Sequence, residues 1–242
     1  MKIAIISDIH ANAEALDRVL LEIQERKINN IISLGDIVGY NADPNLCVDK
    51  VKQLGMPSLL GNHDAVACGL EEPWGFNVVA LTAALWTRKQ LTEANKTFLR
   101  GLPDQQVSDS SFIAVHGAPS DRDTYLFSWE DLRPEFDYLR QHAVPLCFFG
   151  HTHCQGIFSE AGPCAPGQDG HFTLDEGKLF FVNPGSVGQP RDGDARAAFA
   201  IYDADQHDIE LIRVEYDKKT TADKISQAGL PLFLAERLMM GR

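Results

Sequence analysis

The feature that most constrains this 242-residue chain is the repeated pairing of a short apolar run with a polar block rich in Gly, Asp or His. Runs of four to six apolar residues are typical of strands buried on both faces of a sheet. The runs are residues 2–7, 30–34, 57–60, 111–115 and 145–149. Between the first two, Leu16, Val19, Leu20 and Ile23 fall on one helical face. The chain therefore begins as a strand–helix–strand unit.

Further helices are predicted between the later runs. Asn12 is a suitable N-cap for the first helix, with Glu14 in its first turn. The later helical segments are 43–54, 74–100 (as two helices meeting near Leu91–Thr92) and 129–141. Pro134 predicts a break or a new helix start within the last of these.

After residue 153 the pattern changes from alternating strands and helices to hairpins. The Gly- and Pro-rich segment 160–171 is predicted as a loop. Two hairpins follow, 172–174 with 178–182 turning at Glu176–Gly177, and 197–203 with 207–214 turning near Asp205–Gln206. We expect two mixed sheets packed together and flanked by helices.

The last part of the chain, about 220–240, carries a helical apolar stripe of Leu230, Phe233, Leu234 and Leu238. Such a stripe usually faces a core, so we expect this tail to pack on the body. The length fits one large domain, and no composition shift forces a boundary within 1–242.

The polar blocks carry the candidate chemistry. They are Asp8-Ile9-His10, Gly35-Asp36, Gly61-Asn62-His63-Asp64, His116-Gly117 and Gly150-His151-Thr152-His153. Ligands of α/β sheets bind beyond the carboxyl ends of strands, so these blocks should face one crevice. Oxygen and imidazole donors together suit Mn, Fe, Zn or Ni rather than Ca. Seven candidate ligands exceed the needs of one ion and favour two.

In this order the blocks resemble the calcineurin-like metallophosphoesterase superfamily over residues 8–153. Asn183–Ser186 (NPGS) and the Arg191 segment resemble its small bacterial and archaeal phosphodiesterase-like branch. The resemblance implies a four-layer α/β/β/α sandwich of two mixed sheets. It also implies the ligand sets: Asp8, His10, Asp36 and His153 for one metal, and Asp36, Asn62, His116 and His151 for the other. Asp36 would bridge the two.

The function implied is hydrolysis of phosphoesters by a hydroxide that bridges two divalent transition-metal ions. We expect manganese, with iron, zinc or nickel as alternatives, and a phosphodiesterase acting on small substrates, including nucleotides. A phosphomonoesterase of the same fold is the alternative, and a non-catalytic metal-binding scaffold, as in the retromer subunit of this superfamily, is a further one. The Asp-Arg-Gly stretch of the protein phosphatases is replaced here by residues 37–40, IVGY, which argues against a protein substrate.

Five residues near the ligands are candidates for catalysis or substrate binding. By resemblance, His63 is the proton donor or charge stabiliser at the leaving group, and Asp64 either orients His63 or satisfies backbone groups. Asn12 reaches a phosphate oxygen or acts only as a helix cap. Arg191 binds phosphate or points to solvent. Tyr40 lines the cleft or is ordinary packing.

Charge and cysteine content limit the partners. The formal charge is −12, from 22 basic and 34 acidic residues, which disfavours stable binding to nucleic acid or anionic lipid and so a DNA-repair nuclease. No apolar run approaches the ~20 residues that span a membrane, and no signal peptide follows Met1. Five cysteines without CxxC spacing indicate free thiols. We therefore expect a cytoplasmic protein; the sequence carries no signal for an oligomeric state.

Overall fold

The computed structural model describes residues 1–108, 111–165 and 170–242. The helices within them are α1 (Ala13–Glu25), α2 (Pro44–Gln53), α3 (Asn62–Cys68), α4 (Val78–Gln90), α5 (Glu93–Arg100), α6 (Trp129–Leu132), α7 (Glu135–His142), α8 (Lys218–Gln227) and α9 (Leu232–Met240). The strands are β1 (Lys2–Ile6), β2 (Asn30–Ser33), β3 (Gln105–Ser108), β4 (Phe112–Val115), β5 (Leu146–Phe148), β6 (Gly156–Ser159), β7 (Gly162–Cys164), β8 (His171–Thr173), β9 (Phe180–Asn183), β10 (Ala197–Asp203) and β11 (Asp208–Val214).

The strands form two mixed sheets. The first has the order β2-β1-β10-β11-β8 and the second β3-β4-β5-β9-β6-β7. In the first sheet only β1 and β2 are parallel, whereas in the second β4, β5 and β9 run parallel. The parallel strands lie near the centre of the second sheet, where both faces are covered.

Alternation along the strands defines the layers. In β1, Ile5 lies in the core between the sheets and Ile6 in the core beneath α1 and α2. In β4, Phe112 lies between the sheets and Ile113 beneath α6 and α7. Because successive side chains of a strand point to opposite faces, each sheet packs on the other sheet and on helices. The expected α/β/β/α sandwich of two mixed sheets is confirmed.

Several local predictions are confirmed. The Asn12 side chain caps α1 by accepting a hydrogen bond from the Ala15 N–H at 3.1 Å. The segment 74–100 contains two helices that meet at Leu91–Thr92, and Pro134 directly precedes α7. Strands β10 and β11 form the predicted antiparallel pair.

The predicted strand 57–60 is wrong, since it forms only an isolated bridge between Ser33 and Ser58. The block that follows it starts a helix, α3, that the sequence analysis did not predict. Gly61 is its N-cap, and the Asp64 carboxylate accepts the Gly61 N–H at 3.2 Å. The polar residues Asn62, His63 and Asp64 therefore form the first turn of a helix.

The predicted hairpin of 172–174 with 178–182 is also wrong. Strand β8 pairs with β11 in the first sheet, whereas β9 lies between β5 and β6 in the second. Strand β9 is buried along its whole length, and burial on both faces favours a central position over a local hairpin. The predicted loop 160–171 contains β7; its residues 166–169 lie outside the described residues.

The predicted tail forms two helices, α8 and α9, with Pro231 between them. Leu230, Leu234 and Leu238 are buried against α4 and Tyr40, as expected. Phe233 departs from the predicted stripe, because it is 51% exposed. Among the described residues, no helix has the length and apolar character to cross a bilayer.

Candidate metal centre

The predicted ligands come from loops that follow β1, β2, β4 and β5 and from the start of α3. Five of them have left-handed backbone: the φ angles are +55° at Asp8, +47° at His10, +52° at Asp36, +65° at His151 and +60° at His153. Non-glycine residues in this region cost about 1–3 kcal/mol each and cluster at functional sites. The fold therefore keeps strained backbone where these side chains meet.

The first group is Asp8, His10 and His153, all buried. The two Nε2 atoms of His10 and His153 lie 3.0 Å apart. Asp8 Oδ1 is 3.3 Å from His153 Nε2 and 3.7 Å from His10 Nε2. Three donor atoms thus surround one point.

Backbone carbonyls set the tautomers of these two rings. Nδ1 of His10 is 3.0 Å from the Val38 oxygen, and Nδ1 of His153 is 2.6 Å from the Gln189 oxygen. Each Nδ1 therefore carries the proton and donates it to the carbonyl, which leaves a lone pair on each Nε2. Two such acceptors at 3.0 Å repel one another unless a cation or a proton lies between them.

The second group is Asp36, His116 and His151, with Asn62 beside it. His116 donates from Nδ1 to the Leu34 oxygen at 2.9 Å, and its Nε2 faces Asn62 Oδ1 at 3.2 Å. The backbone carbonyl oxygen of Asp123 lies 3.2 Å from Nε2 of His151. Nδ1 of the same ring is therefore the nitrogen that could bind a metal ion. Atoms that can ligate a metal ion therefore face one another in this group as well.

Asp36 joins the two groups. Its Oδ2 is 3.5 Å from His10 Nε2 and 3.4 Å from His116 Nε2. Its other oxygen accepts the N–H of His63 at 2.8 Å, so the carboxylate is fixed in orientation. The geometry fits a pair of ions with Asp36 between them.

The carboxylates stay ionised despite burial. Burial raises the pKa of Asp36, but His116 and the other nearby imidazoles outweigh it and hold that pKa well below its ordinary value. At Asp8 burial also raises the pKa, but His153, His116 and His10 outweigh burial and hold that pKa below its ordinary value. Buried ionised carboxylates need cations beside them.

Burial lowers the pKa of His10 well below its ordinary value and that of His151 to about 3. Both rings are therefore neutral ligands. At His116 burial is overcome by Asp36, which raises the pKa to about 9. A metal ion would displace that proton, as metal binding to imidazole does in general.

The donor set therefore fits two metal ions. Asp8 Oδ1 is buried without a hydrogen-bond partner within the described part of the chain. The atoms that face it are the Nε2 atoms of His153 and His10, which carry lone pairs. Nitrogen ligands about 2.0–2.1 Å from a metal and at right angles to one another lie about 3 Å apart, as the two Nε2 atoms do. Mixed N/O donors suit borderline transition metals.

His63 lies against the centre without joining either group. Its ring contacts those of Tyr40, Phe76 and His10, with centroids at 4.4, 4.7 and 5.0 Å. Burial, Arg191 and the nearby histidines outweigh Asp36 and lower its pKa to about 4. The ring is neutral and positioned by packing.

Asp64 takes the second of its two considered roles. It is fully buried, and its oxygens accept the N–H groups of Ile37, Val38 and Gly61 at 3.0–3.2 Å. These bonds hold the loop carrying Asp36 against α3. Asp64 therefore has the structural role in the loop, and its placement among the catalytic residues stays a prediction.

Asn12 is also corrected as a substrate contact. It is fully buried. Its Oδ1 accepts from Ala15 N–H and from the Thr221 hydroxyl, and its Nδ2 donates to the Gly188 oxygen at 2.9 Å. No side-chain polar atom is left for a phosphate.

Tyr40 and Arg191 lie at the centre. The Tyr40 ring is 5% exposed and contacts His10 edge-on at 4.6 Å. The Arg191 guanidinium lies 5.4 Å from the Tyr40 ring centroid, and it donates to the Gln189 side chain. Tyr40 thus packs behind ligands, whereas Arg191 is partly exposed next to them.

The sequence analysis missed two residues near the centre. Tyr125 stacks on the ring of His151 at 3.7 Å. Arg237 is brought in by α9, whose end is tied to the Arg191 loop by a bond from Gly193 N–H to the Gly241 oxygen at 2.9 Å. Burial and Arg191 lower the pKa of Arg237. Neither residue belongs to a motif, and the apolar stripe of the tail predicted only that this segment packs on the body.

Replacing Gly61 with alanine should destabilise the centre. A Cβ there would lie 2.1 Å from Asp36 Oδ1, although a φ of −89° suits any residue. We expect a loss of about 1–3 kcal/mol in unfolding free energy and reduced metal content. Gly101→Ala is the control, with φ −90° and a nearest contact of 3.5 Å. Urea unfolding with metal analysis tests this; equal behaviour of both variants would contradict it.

Comparisons with known proteins agree with this geometry. The family model described as the calcineurin-like phosphoesterase superfamily domain matches residues 1–207. An uncharacterized protein of Methanocaldococcus jannaschii is 42% identical over 99% of this chain and 98% of its own.

Two solved structures are similar over the full length. A metallophosphoesterase from Sphaerobacter thermophilus has a TM-score of 0.89 and 37% identity, over 100% of this chain and 99% of its own. A hypothetical protein from Pyrococcus horikoshii has a TM-score of 0.83 and 21% identity, over 100% and 98%; it shows the fold alone.

Proposed function

Because the chain belongs to the calcineurin-like phosphoesterase superfamily, we propose that it is a metal-dependent phosphodiesterase acting on small substrates, nucleotides among them. The observation that carries this proposal is the pair of ligand groups joined by Asp36, with the His63 ring packed against them. The His63 ring contacts the ligands but belongs to neither ligand group. Such a residue is expected at a catalytic metal centre and is not required at a metal site that only stabilises the fold.

The expected ions are two divalent transition metals, manganese first, with iron, zinc or nickel accepted by the same donors. When bound, such a pair lowers the pKa of a water molecule from about 15.7 towards ~7 and polarises the phosphoryl oxygens. The chain supplies the rest. Asp36 fixes the two ligand groups relative to each other, and carbonyl-bound Nδ1–H groups orient the His10 and His153 rings.

His63 acts at the leaving oxygen. A neutral imidazole donates a hydrogen bond to that oxygen, and an anionic phosphate next to the ring raises its pKa and favours proton transfer. Packing on Tyr40 and Phe76 prevents the ring from turning away. Arg191 binds an oxygen of the phosphate, and Arg237, which lies near Arg191, adds positive charge there.

The charge around the centre favours a diester over a monoester. The cleft beside Asn62 and His151 is bordered by Glu71, Glu72 and Asp123. Glu71 and Asp123 are paired with Arg122, whereas Glu72 lies 3.8 Å from Arg88 and keeps more of its charge. A phosphodiester carries one negative charge and a monoester up to two, so Glu72 repels the monoester more strongly. The overall charge of −12 likewise disfavours nucleic-acid polymers.

The proposed reaction takes place in a reducing compartment, the cytoplasm. All five cysteines are free thiols, and Cys47, Cys68 and Cys147 are buried. Burial raises the pKa of each of these three thiols, which keeps them protonated and unreactive.

Turnover of bis-p-nitrophenyl phosphate, with p-nitrophenyl phosphate as the monoester, tests the proposal. Protein reloaded with Mn²⁺ should hydrolyse the diester with the higher kcat/KM. EDTA-stripped protein should be slower by about 10³-fold, since the metals supply several kcal/mol of transition-state stabilisation. Protein that binds two metal ions but hydrolyses neither ester would support the scaffold alternative instead.

A further inference from the structure

A cleft of about 530 Å³ opens next to the second ligand group. It is bordered by Asn62 and His151 of the centre and by Trp74, Phe76 and Tyr125. Phe76 contacts the ring of His63 at 4.7 Å, and His63 is the group assigned above to the leaving oxygen. The cleft therefore lies on the leaving-group side.

The aromatic rings of this cleft are only partly covered by the protein. Tyr125 is 42% exposed and Trp74 is 87% exposed. The Tyr125 ring is fixed between His151 at 3.7 Å and Phe127 at 5.1 Å, nearly parallel to both. A large exposed aromatic surface at a site indicates a binding surface, because covering it with a ligand would gain the free energy of burial.

We propose that this cleft binds a flat, amino-bearing heterocycle, of the nucleobase type, carried by the leaving alcohol of the substrate. The inference rests on the proposed function and adds the chemical class of the substrate. Stacking on aromatic side chains holds a base of any sequence, worth about 1–3 kcal/mol per base. Here the ring system would stack on the exposed ring of Trp74, with the edge of Tyr125 beside it.

The polar lining of the cleft specifies the kind of ring. Glu71 and Asp123 are ion-paired with Arg122 at 2.7 and 2.9 Å, whereas Glu72 is more weakly paired, with Arg88 at 3.8 Å. Carboxylates accept hydrogen bonds from exocyclic amino groups of bases. Glu72, the weakly paired carboxylate, repels additional phosphates, so the bound group is a nucleoside rather than a nucleoside polyphosphate.

Calorimetric titration of the Mn²⁺-loaded protein with adenosine and with ribose tests the cleft without requiring turnover. Adenosine should bind at least about tenfold more tightly than ribose, from the stacking free energy of one base. Tyr125→Leu and Trp74→Ala should each weaken adenosine binding by about 5- to 100-fold. Because Tyr125 touches His151, metal content is measured in each variant; Trp74 lines the same cleft without this contact.

Tyr138→Leu is the matched control, since Tyr138 stacks on His142 at 4.0 Å on α7, remote from the cleft. It should bind adenosine as the unaltered protein does. Equal affinity for adenosine and ribose, or unchanged affinity in both cleft variants, would overturn the inference. If the protein then still hydrolyses bis-p-nitrophenyl phosphate, the proposed function stands alone; if adenosine binds but no ester is cleaved, the cleft stands and the function fails.

Discussion

Replacing Asp36 with asparagine should strip the protein of both metal ions and lower hydrolysis of bis-p-nitrophenyl phosphate by about 10³-fold or more. The Asp36 Oδ2 atom lies between Nε2 of His10 and Nε2 of His116. An amide in this place keeps the volume and one acceptor oxygen for the His63 N–H, but it removes the negative charge that both ligand groups share.

The measurement is metal content by plasma mass spectrometry beside kcat/KM. Asp203→Asn, a change in β10 outside the centre, is the control and should keep two ions and full turnover. Unfolding midpoints distinguish loss of metal from loss of fold. Two firmly bound ions in the Asp36→Asn protein would remove the bridging assignment.

Replacing His63 with glutamine should leave both metal ions bound and lower kcat by about 10²–10⁴-fold, the usual contribution of a general acid. Metal content is expected to persist because the His63 side chain belongs to neither ligand group. Its contacts are with the rings of Tyr40, Phe76 and His10, which glutamine does not overfill.

The leaving group decides between proton donation and simple packing. Loss of turnover should be greater for a dinucleoside monophosphate, whose alcohol needs a proton, than for bis-p-nitrophenyl phosphate, whose phenolate leaves unaided. His142→Gln, on α7 outside the centre, should match the unaltered protein on both substrates. An equal loss on both substrates would show that His63 positions the phosphate rather than protonating the alcohol.

The types of the seven candidate ligands were predictable, because the affinity of a metal ion for a ligand depends on the side chain and the sequence gives every side chain. The carbonyls of Val38, Leu34, Gln189 and Asp123 that orient the four rings were not. Every residue has a carbonyl, so nothing in the sequence marks the few that face an imidazole.

The roles of polar neighbours were equally undetermined. Asn12 and Asp64 each had a structural and a functional interpretation, and both form hydrogen bonds to backbone groups, including Gly188 and Val38, which are distant in the chain. Tyr125 stacks on His151, and Arg237 on the last helix lies close enough to Arg191 to affect its electrostatics, although neither residue belongs to a motif. Proximity between segments far apart in the chain decides such roles.

Local sequence alone determined the strand–helix–strand start, the cap at Asn12 and the identity of the candidate metal ligands, since these depend on neighbouring residues and on donor type. Tertiary structure decided that β8 and β9 belong to different sheets, that Asp36 faces both ligand groups, and that aromatic rings border the cleft beside His151. Those features depend on which surfaces are buried together, and burial is a property of the whole fold rather than of any one segment.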